Sequence, residues 1–495
     1  KIDSIQVLFH FSAVYTKAEK DPEEFESFIS WAFTVVQDFN EVDQHLINPK
    51  EIFTYLRDIQ RLKNWSVKKP FEETKMMKNH FSFLEKLEHY YTHFYAFLLE
   101  KQIGYQGLIY REAVKKVENY INKNSHKNYV FMGFNALNKA EEFLFQKLLS
   151  AGNTDVYWDI DRSFLKNNHQ AGTFIRKYKN EWKYYITNPI GTVSSNFDLE
   201  KNIEVIGASK NITQIKYAGE LINRFPNYKN TAYVLADESL LPITLNSLPK
   251  KVEAVNITMG YPLKDIPTTS LFTSIFQLFL TQEKLQKTQT NQFYYKDVLQ
   301  FFKHASIQPI LVFDETNLLD NISLKIAEDN DAFISKTQIA SFLSPLEITS
   351  KEVVINIFNP IDTIQDFINR IISLIGVLKE KATPLEKEYL FRYYTIFSQL
   401  QTFQNEYSFL KTFKTIYQLF NQLLQTESIS FKGEPLQGLQ LMGMLETRVL
   451  DFENVIITSV NENILPRNSS QNSFIPFDVK LDFGLPTYRA VSYTH

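Results

Sequence analysis

Leu439-Gln440-Leu441-Met442, followed by Asn454-Val455-Ile456-Ile457-Thr458-Ser459-Val460, decides the fold. Runs this short and this apolar read as buried strands. Signals of the same kind lie far upstream, in Ile203-Glu204-Val205-Ile206 and Thr231-Ala232-Tyr233-Val234-Leu235, on either side of a helix expected from Ile212 to Phe225. Between the two groups, from about Pro267 to Glu427, the pattern turns to long amphipathic helices, among them Ile364 to Lys379 and Pro384 to Phe403. A sheet interrupted by a helical block and resumed after it is an insertion topology.

Working outward, Tyr129-Val130-Phe131-Met132, an amphipathic helix from Lys139 to Leu149 and Thr154-Asp155-Val156-Tyr157-Trp158 predict a parallel βαβ unit. The Lys-, Asn- and Tyr-rich stretch from Lys166 to Asn196 reads as loops and as a domain boundary. The first hundred residues read as mostly helical. Asp21 is expected as an N-cap with Pro22 in the first turn, ahead of apolar positions recurring at helical spacing from Phe25 to Phe39.

Composition narrows the class. With 495 residues the chain has room for several cores, and 42 Phe and 26 Tyr against 14 Gly and 17 Pro exclude disordered and collagen-like chains. The absence of Cys excludes disulfide scaffolds, thiolate zinc sites, iron–sulfur clusters and a cysteine nucleophile, and it fits a reducing compartment. No apolar run reaches bilayer length and no signal peptide opens the chain, so a cytoplasmic location is expected. The chain begins at Lys1 rather than Met and stops in mid-pattern at His495, which suggests a piece of something longer. Lys plus Arg number 53 against 56 Asp plus Glu, a net charge of -3, so any polyanion contact must be local.

Few motifs carry chemistry on their own. A phosphate loop needs G-x-x-x-x-G-K-[ST], but Gly433 with Gly438 is followed by Leu439-Gln440, and Gly438 with Gly443 by Met444-Leu445. Asp38, Glu41 and Asp43 read as a solvated acidic helix face rather than a Mg²⁺ pair. Asp478-Val479-Lys480 supplies the acid-x-Lys half of a nuclease centre without the Pro-Asp that should precede it. His89 and His93 have metal-ligand spacing but lack a third ligand, and no metal is assigned. Asp159 and Asp161 follow a strand end, where a ligand site or a helix cap would both place acids. Arg61, Lys63, Lys68, Lys69, Lys115 and Lys116 form a possible basic patch, with a solvated helix face as the bland alternative.

The segments Leu439 to Arg448, Val449 to Ile457 and Asn461-Glu462-Asn463-Ile464-Leu465-Pro466-Arg467 together resemble the second RecA-like domain of superfamily 1 helicases around motif V. The closest look is to the AddB and RecC class, helicase-like subunits related to PD-(D/E)xK nuclease family proteins. Tyr129 to Glu141 resembles the strand, loop and helix at motif III of that class. Tyr157 to Asp161, Ala171 to Arg176, Ala236 to Pro242, Leu245 to Pro249 and Asn256 to Leu263 are similar to the AddB-like proteins as well.

The resemblance implies an α/β fold of two RecA-like (P-loop NTPase-like) domains with large helical insertions. Residues 1–195 would be the remnant of the first, with 1–127 mostly helical and 128–165 βαβ; 196–266 with 430–495 would form the second, and 267–429 its helical insertion. It further implies a DNA-binding module of a helicase/nuclease complex in recombinational repair, with DNA and a helicase/nuclease subunit of the AddA or RecB type as partners and no membrane. Glu446, Thr447, Arg448, Asn461, Arg467 and Asn135 would contact DNA, Arg448 through phosphate. No catalytic residue is assigned. ATP would enter only with a phosphate loop ahead of Lys1, and Mg²⁺ with that loop or with a nuclease domain beyond His495. An ATP-driven translocase and a protein scaffold without DNA contact are the alternatives.

Overall fold

The computed structural model describes the chain except residues 64–74, 167, 193, 289, 314–315, 408, 411, 430–436, 448–449, 467–471 and 488–495, and the side chains of 59–63, 75–81, 313 and 316. It is a mixed α/β protein with parallel sheet. The chain divides into two compact units, residues 1–255 with 436–495, and residues 256–435. No described helix is long and apolar enough to cross a membrane.

The larger unit opens with five helices: α1 (Ser4–Ala18), α2 (Phe25–Gln44), α3 (Pro49–Lys63), α4 (Lys75–Glu100) and α5 (Gln106–Lys123). Helix α1 starts where Asp3 accepts the amides of Ile5 (2.9 Å) and Gln6 (2.8 Å). It buries residues on nearly every side, as a central helix must. Phe11 shows how: its ring meets Phe28, Phe39, Phe94 and Tyr90 at centroid distances of 5.1 to 6.2 Å. Helix α2 begins at Phe25, not at Pro22, and its cap position, Glu24, makes no side-chain cap bond. Asp21 therefore stays in the preceding loop. Helix α5 crosses α2 at Gly107, where an added Cβ would lie 2.3 Å from the Asn40 carbonyl oxygen.

Strands β1 (Tyr129–Met132) and β2 (Thr154–Tyr157) pair in parallel, joined by α6 (Lys139–Ser150), which Asn138 and Glu141 close with a capping box. Phe131 and Val156 point into a core of Phe145, Leu149, Trp158, Ile175, Tyr178 and Trp182. The Trp158 indole donates to the Tyr185 hydroxyl at 2.7 Å, and the Tyr178 hydroxyl accepts the Leu137 amide at 2.8 Å. These partners correct the sequence reading of 166–196 as loops. Helices Thr173–Glu181 and Tyr184–Thr187 lie there, and Ile175, Tyr178 and Tyr185 on them, with Trp182 between them, join this core, because such side chains need burial more than the surrounding Lys and Asn need exposure.

The second sheet has four strands, β3 (Thr231–Leu235), β4 (Val255–Ile257), β5 (Leu439–Gly443) and β6 (Asn454–Thr458), in the order β6-β3-β5-β4. Both β5 and β6 run parallel to β3. Every residue of β3 and β5 is buried, the mark of central parallel strands. Gly438, at φ +72, lets the chain enter β5 tight against the Ala254 carbonyl. The expected strand at Ile203 to Ile206 is not among the described strands: that segment is exposed and has no regular secondary structure.

The inserted unit is helical, with long helices Thr268–Lys284, Ile364–Lys381, Pro384–Glu406 and Phe413–Thr426. Phe276 anchors its core against Phe367, Phe413, Tyr417 and Phe420 at 5.0 to 5.3 Å. Two short antiparallel ribbons, Gln292–Tyr294 with Phe333–Ser335 and Val312–Phe313 with Thr316–Asn317, interrupt what the sequence reads as helices alone. Strands of two or three residues carry too little periodicity to be seen in a sequence.

Candidate nucleic-acid interface

Because β3, β5 and β6 run parallel, their carboxyl ends open on one edge, with Gly443 and Thr458 both level with Leu235. Open parallel sheets collect ligand-binding groups at that edge. Asp237 follows β3 and accepts the amide and hydroxyl of Ser239 at 3.2 and 2.6 Å. A 3₁₀ turn, Leu445–Thr447, follows β5. After β6 comes Ser459, held in the left-handed region at φ +60, and then Asn461 and Glu462.

Gly443 leaves room at this edge. A Cβ there would stand 2.5 Å from Glu238 Oε1 and 2.6 Å from Glu446 Oε2, so the bare backbone is what lets two carboxylates flank the strand end. Among the described residues nothing donates to Glu446 Oε2, which is buried. Thr447 is engaged locally, its hydroxyl donating to the Met444 carbonyl at 2.8 Å. The Asn461 side chain is exposed, while its carbonyl accepts the amides of Ile464 and Leu465 at 3.1 and 2.9 Å. Glu462 is exposed beside it.

Sequence reasoning missed the clamp on this turn. Gln214, in the first turn of helix Asn211–Arg224, donates to Ser459 Oγ at 3.1 Å and accepts the Ser459 amide at 3.0 Å. The two residues are 245 positions apart, and nothing in either neighbourhood pairs them. Glu238 was missed too. Its signal was available: an acid three residues beyond a fully buried, mostly apolar strand.

Glu446, Thr447, Asn461 and Glu462 thus share one sheet edge. Asn135 does not join them through the sheet. It lies on the loop between β1 and α6, beside the other sheet, with a buried Oδ1 that has no partner among the described residues. Lys115 and Lys116 sit on α5 and pair with Glu112 at 2.7 and 3.7 Å; Lys115 also donates to the Tyr95 hydroxyl at 2.8 Å. Arg448, Arg467, Lys68 and Lys69 lie outside the described residues, as do the side chains of Arg61 and Lys63.

The remaining candidates are accounted for by structure. The solvated acidic face expected on α2 is overturned, since Asp38 is 3% exposed and Asp43 is 0%. Asp43 accepts from the hydroxyls of Tyr91 and Tyr105, each at 2.6 Å, and from the Arg111 guanidinium at 2.5 Å. Donors buried on neighbouring helices let these acids leave water, which a single-helix pattern cannot reveal. Asp161 caps the helix at Arg162–Lys166 and gathers the Ser194 hydroxyl and the Asn196 and Phe197 amides. The Ser163 amide, with those donors, holds its carboxyl well below the usual carboxylate range. Asp159 is exposed. Lys480 pairs with Glu41 at 2.5 Å, and His93 Nδ1 lies 2.9 Å from the His89 carbonyl oxygen. Among the described residues no cluster of three metal-binding side chains occurs.

No protein-family model matches the chain, and no curated protein is significantly similar to it.

Proposed function

We propose that the chain is a helicase-like DNA-binding module, built on two RecA-like domains in a superfamily 1 arrangement, without ATP hydrolysis of its own. It serves a helicase/nuclease complex that processes DNA ends for recombinational repair, alongside a partner subunit of the AddA or RecB type. The observation that carries the reading is the shared edge: β5 and β6 deliver Glu446, Thr447 and Asn461 to one end of a parallel sheet whose strand between them, β3, precedes the inserted unit. Arg448 follows Thr447 directly in sequence and is assigned the phosphate contact, because a guanidinium fork binds two phosphate oxygens at once. Asp237, Glu238, Glu446 and Glu462 make the edge acidic, so the backbone of a strand is gripped at few points.

A second reading, a protein scaffold, draws support from the outer face of β1 and β2. Val130, Met132 and Tyr157 are 57, 67 and 60% exposed there, whereas parallel sheets ordinarily cover both faces.

Binding of single-stranded DNA and of duplex ends, followed against salt, separates the two. Phosphate contacts give a log–log slope of about 0.7 to 0.9 per contact, and Arg448→Ala should lower affinity and reduce that slope by about one contact at unchanged stability. No binding at low salt would leave the scaffold.

A further inference from the structure

We propose that residues 203–206, Ile203-Glu204-Val205-Ile206, are a docking arm that adds to the free edge of β6 as a fifth parallel strand. In the structure the arm lies outside every described strand, with Ile203 80% and Val205 93% exposed. Two apolar side chains so fully in water, within an alternating apolar run, describe a strand without its neighbour.

The neighbour is identified by the chain's own path. Four residues, 207–210, lead from the arm into helix Asn211–Arg224, a normal length for a strand-to-helix turn. Gln214 clamps the first turn of that helix to Ser459, immediately past the carboxyl end of β6. The helix then returns to the amino end of β3. A strand preceding such a helix must finish at the edge where β6 finishes, and so run parallel to it. Among the described residues, strand β6 is the outermost of its sheet and pairs on one side only, with β3. Neighbouring strands lie about 4.8 Å apart, well within the reach of the linking residues.

The faces agree. Val455 and Ile457 stand opposite Ala232 and Val234, and both are exposed, at 54 and 44%. With Val205 opposite Ile457, Ile203 falls opposite Val455, and four exposed apolar side chains cover one another on one face. Docking would also extend the carboxyl edge by one strand beside the turn that carries Asn461 and Glu462.

The chain contains no Cys, so paired substitutions in the full chain create its sole thiols. Val205→Cys with Ile457→Cys should oxidise to an intramolecular disulfide at a rate independent of protein concentration, because paired strands hold Cα atoms within disulfide reach. Val205→Cys with Val130→Cys, whose second site lies in the other sheet, should stay reduced. Hydrogen exchange gives a second reading without thiols. Asn454 and Thr458 bond toward β3, so Val455 and Ile457 face the free edge. The Glu204 and Ile206 amides should then exchange at least tenfold more slowly than in an unstructured peptide, and Ile206→Pro should abolish that protection. A pair that stays reduced, one that links only between molecules, or amides exchanging at the unstructured rate would each overturn the docked strand.

Discussion

Asp38, on the second helix, accepts hydrogen bonds from the hydroxyl of Ser473 (2.6 Å) and the amide of Phe474 (2.8 Å), 435 and 436 residues further along the chain. Glu41 holds Lys480 at 2.5 Å, and Tyr55 donates to Asp482 at 2.8 Å. The segment from Ser473 to Asp482 is thereby tied to α2 and α3 at three points.

Burial raises the Asp38 carboxyl from 3.8 to about 6, against the pull of Ser473, Phe474 and Lys480. A carboxyl with a higher pKa folded than unfolded binds more protons when folded, so its contribution to stability declines as pH rises from about 4 to about 6, by roughly 3 kcal/mol in all. His45 slopes the other way: burial, with Lys139, Lys480 and Lys177 nearby, lowers it from 6.5 to about 4, so stability is lost as pH falls through that range. The two effects oppose each other in the same window. Asp38→Asn leaves His45 alone, and urea midpoints at pH 4, 5, 6 and 7 should then fall more steeply toward acid than in the unaltered chain. An equal or shallower fall would refute the assignment.

Arg111 supports Asp43 and also donates to the carbonyls of Val42 and Ile47, at 2.9 and 2.6 Å. Replacing it with Met strands a buried carboxylate, at an expected cost of about 3 to 5 kcal/mol. Adding Asp43→Asn to Arg111→Met should recover part of that loss. Chemical denaturation of the two single variants and the double one checks the coupling. Strict additivity would show that the pair does not act as a unit.

Two glycines give opposite signs. Gly107→Ala pushes a methyl group to 2.3 Å from a backbone oxygen on α2, a neighbour that cannot swing away, and should cost about 1 to 3 kcal/mol. Gly376→Ala, on the exposed side of helix Ile364–Lys381 with nothing within 4 Å of the new Cβ, should stabilise by about 0.5 to 1 kcal/mol. Thermal melts of the two variants decide both signs.

Lys115 and Lys116 already face Glu112, so they are poor sources of phosphate affinity. Lys115→Gln with Lys116→Gln should change stability by less than about 1 kcal/mol and leave the salt slope of DNA binding nearly unaltered. A loss of affinity as large as that of Arg448→Ala would move the interface onto α5.

Much of the fold was legible because long periodic segments announce themselves. Tyr129–Met132, Thr231–Leu235 and the helices beginning at Lys139, Ile364 and Pro384 lie where apolar spacing predicts them. Thr383 with Glu386 and Asn138 with Glu141 also mark their helix starts in sequence. What escaped was set by distant partners. Asp38 and Asp43 read as surface residues because Ser473 and Arg111 are 435 and 68 residues away. The aromatic helices near Tyr178 and Trp182 were masked by the Lys and Asn around them. At the candidate edge, parallel strand ends bring Glu446, Thr447 and Asn461 into one place, while Glu238 and Gln214 join them only through Gly443 and Ser459.

The order of the strands also bears on biosynthesis. Strand β3 leaves the ribosome near residue 235, but both of its hydrogen-bonded neighbours, β5 and β6, come after residue 438. At about 5 to 20 residues per second, the nascent chain carries an unpaired and mostly apolar strand for roughly 10 to 40 seconds. The intervening helices can fold during that wait, leaving Thr231–Leu235 as a natural target for a chaperone that holds extended apolar segments.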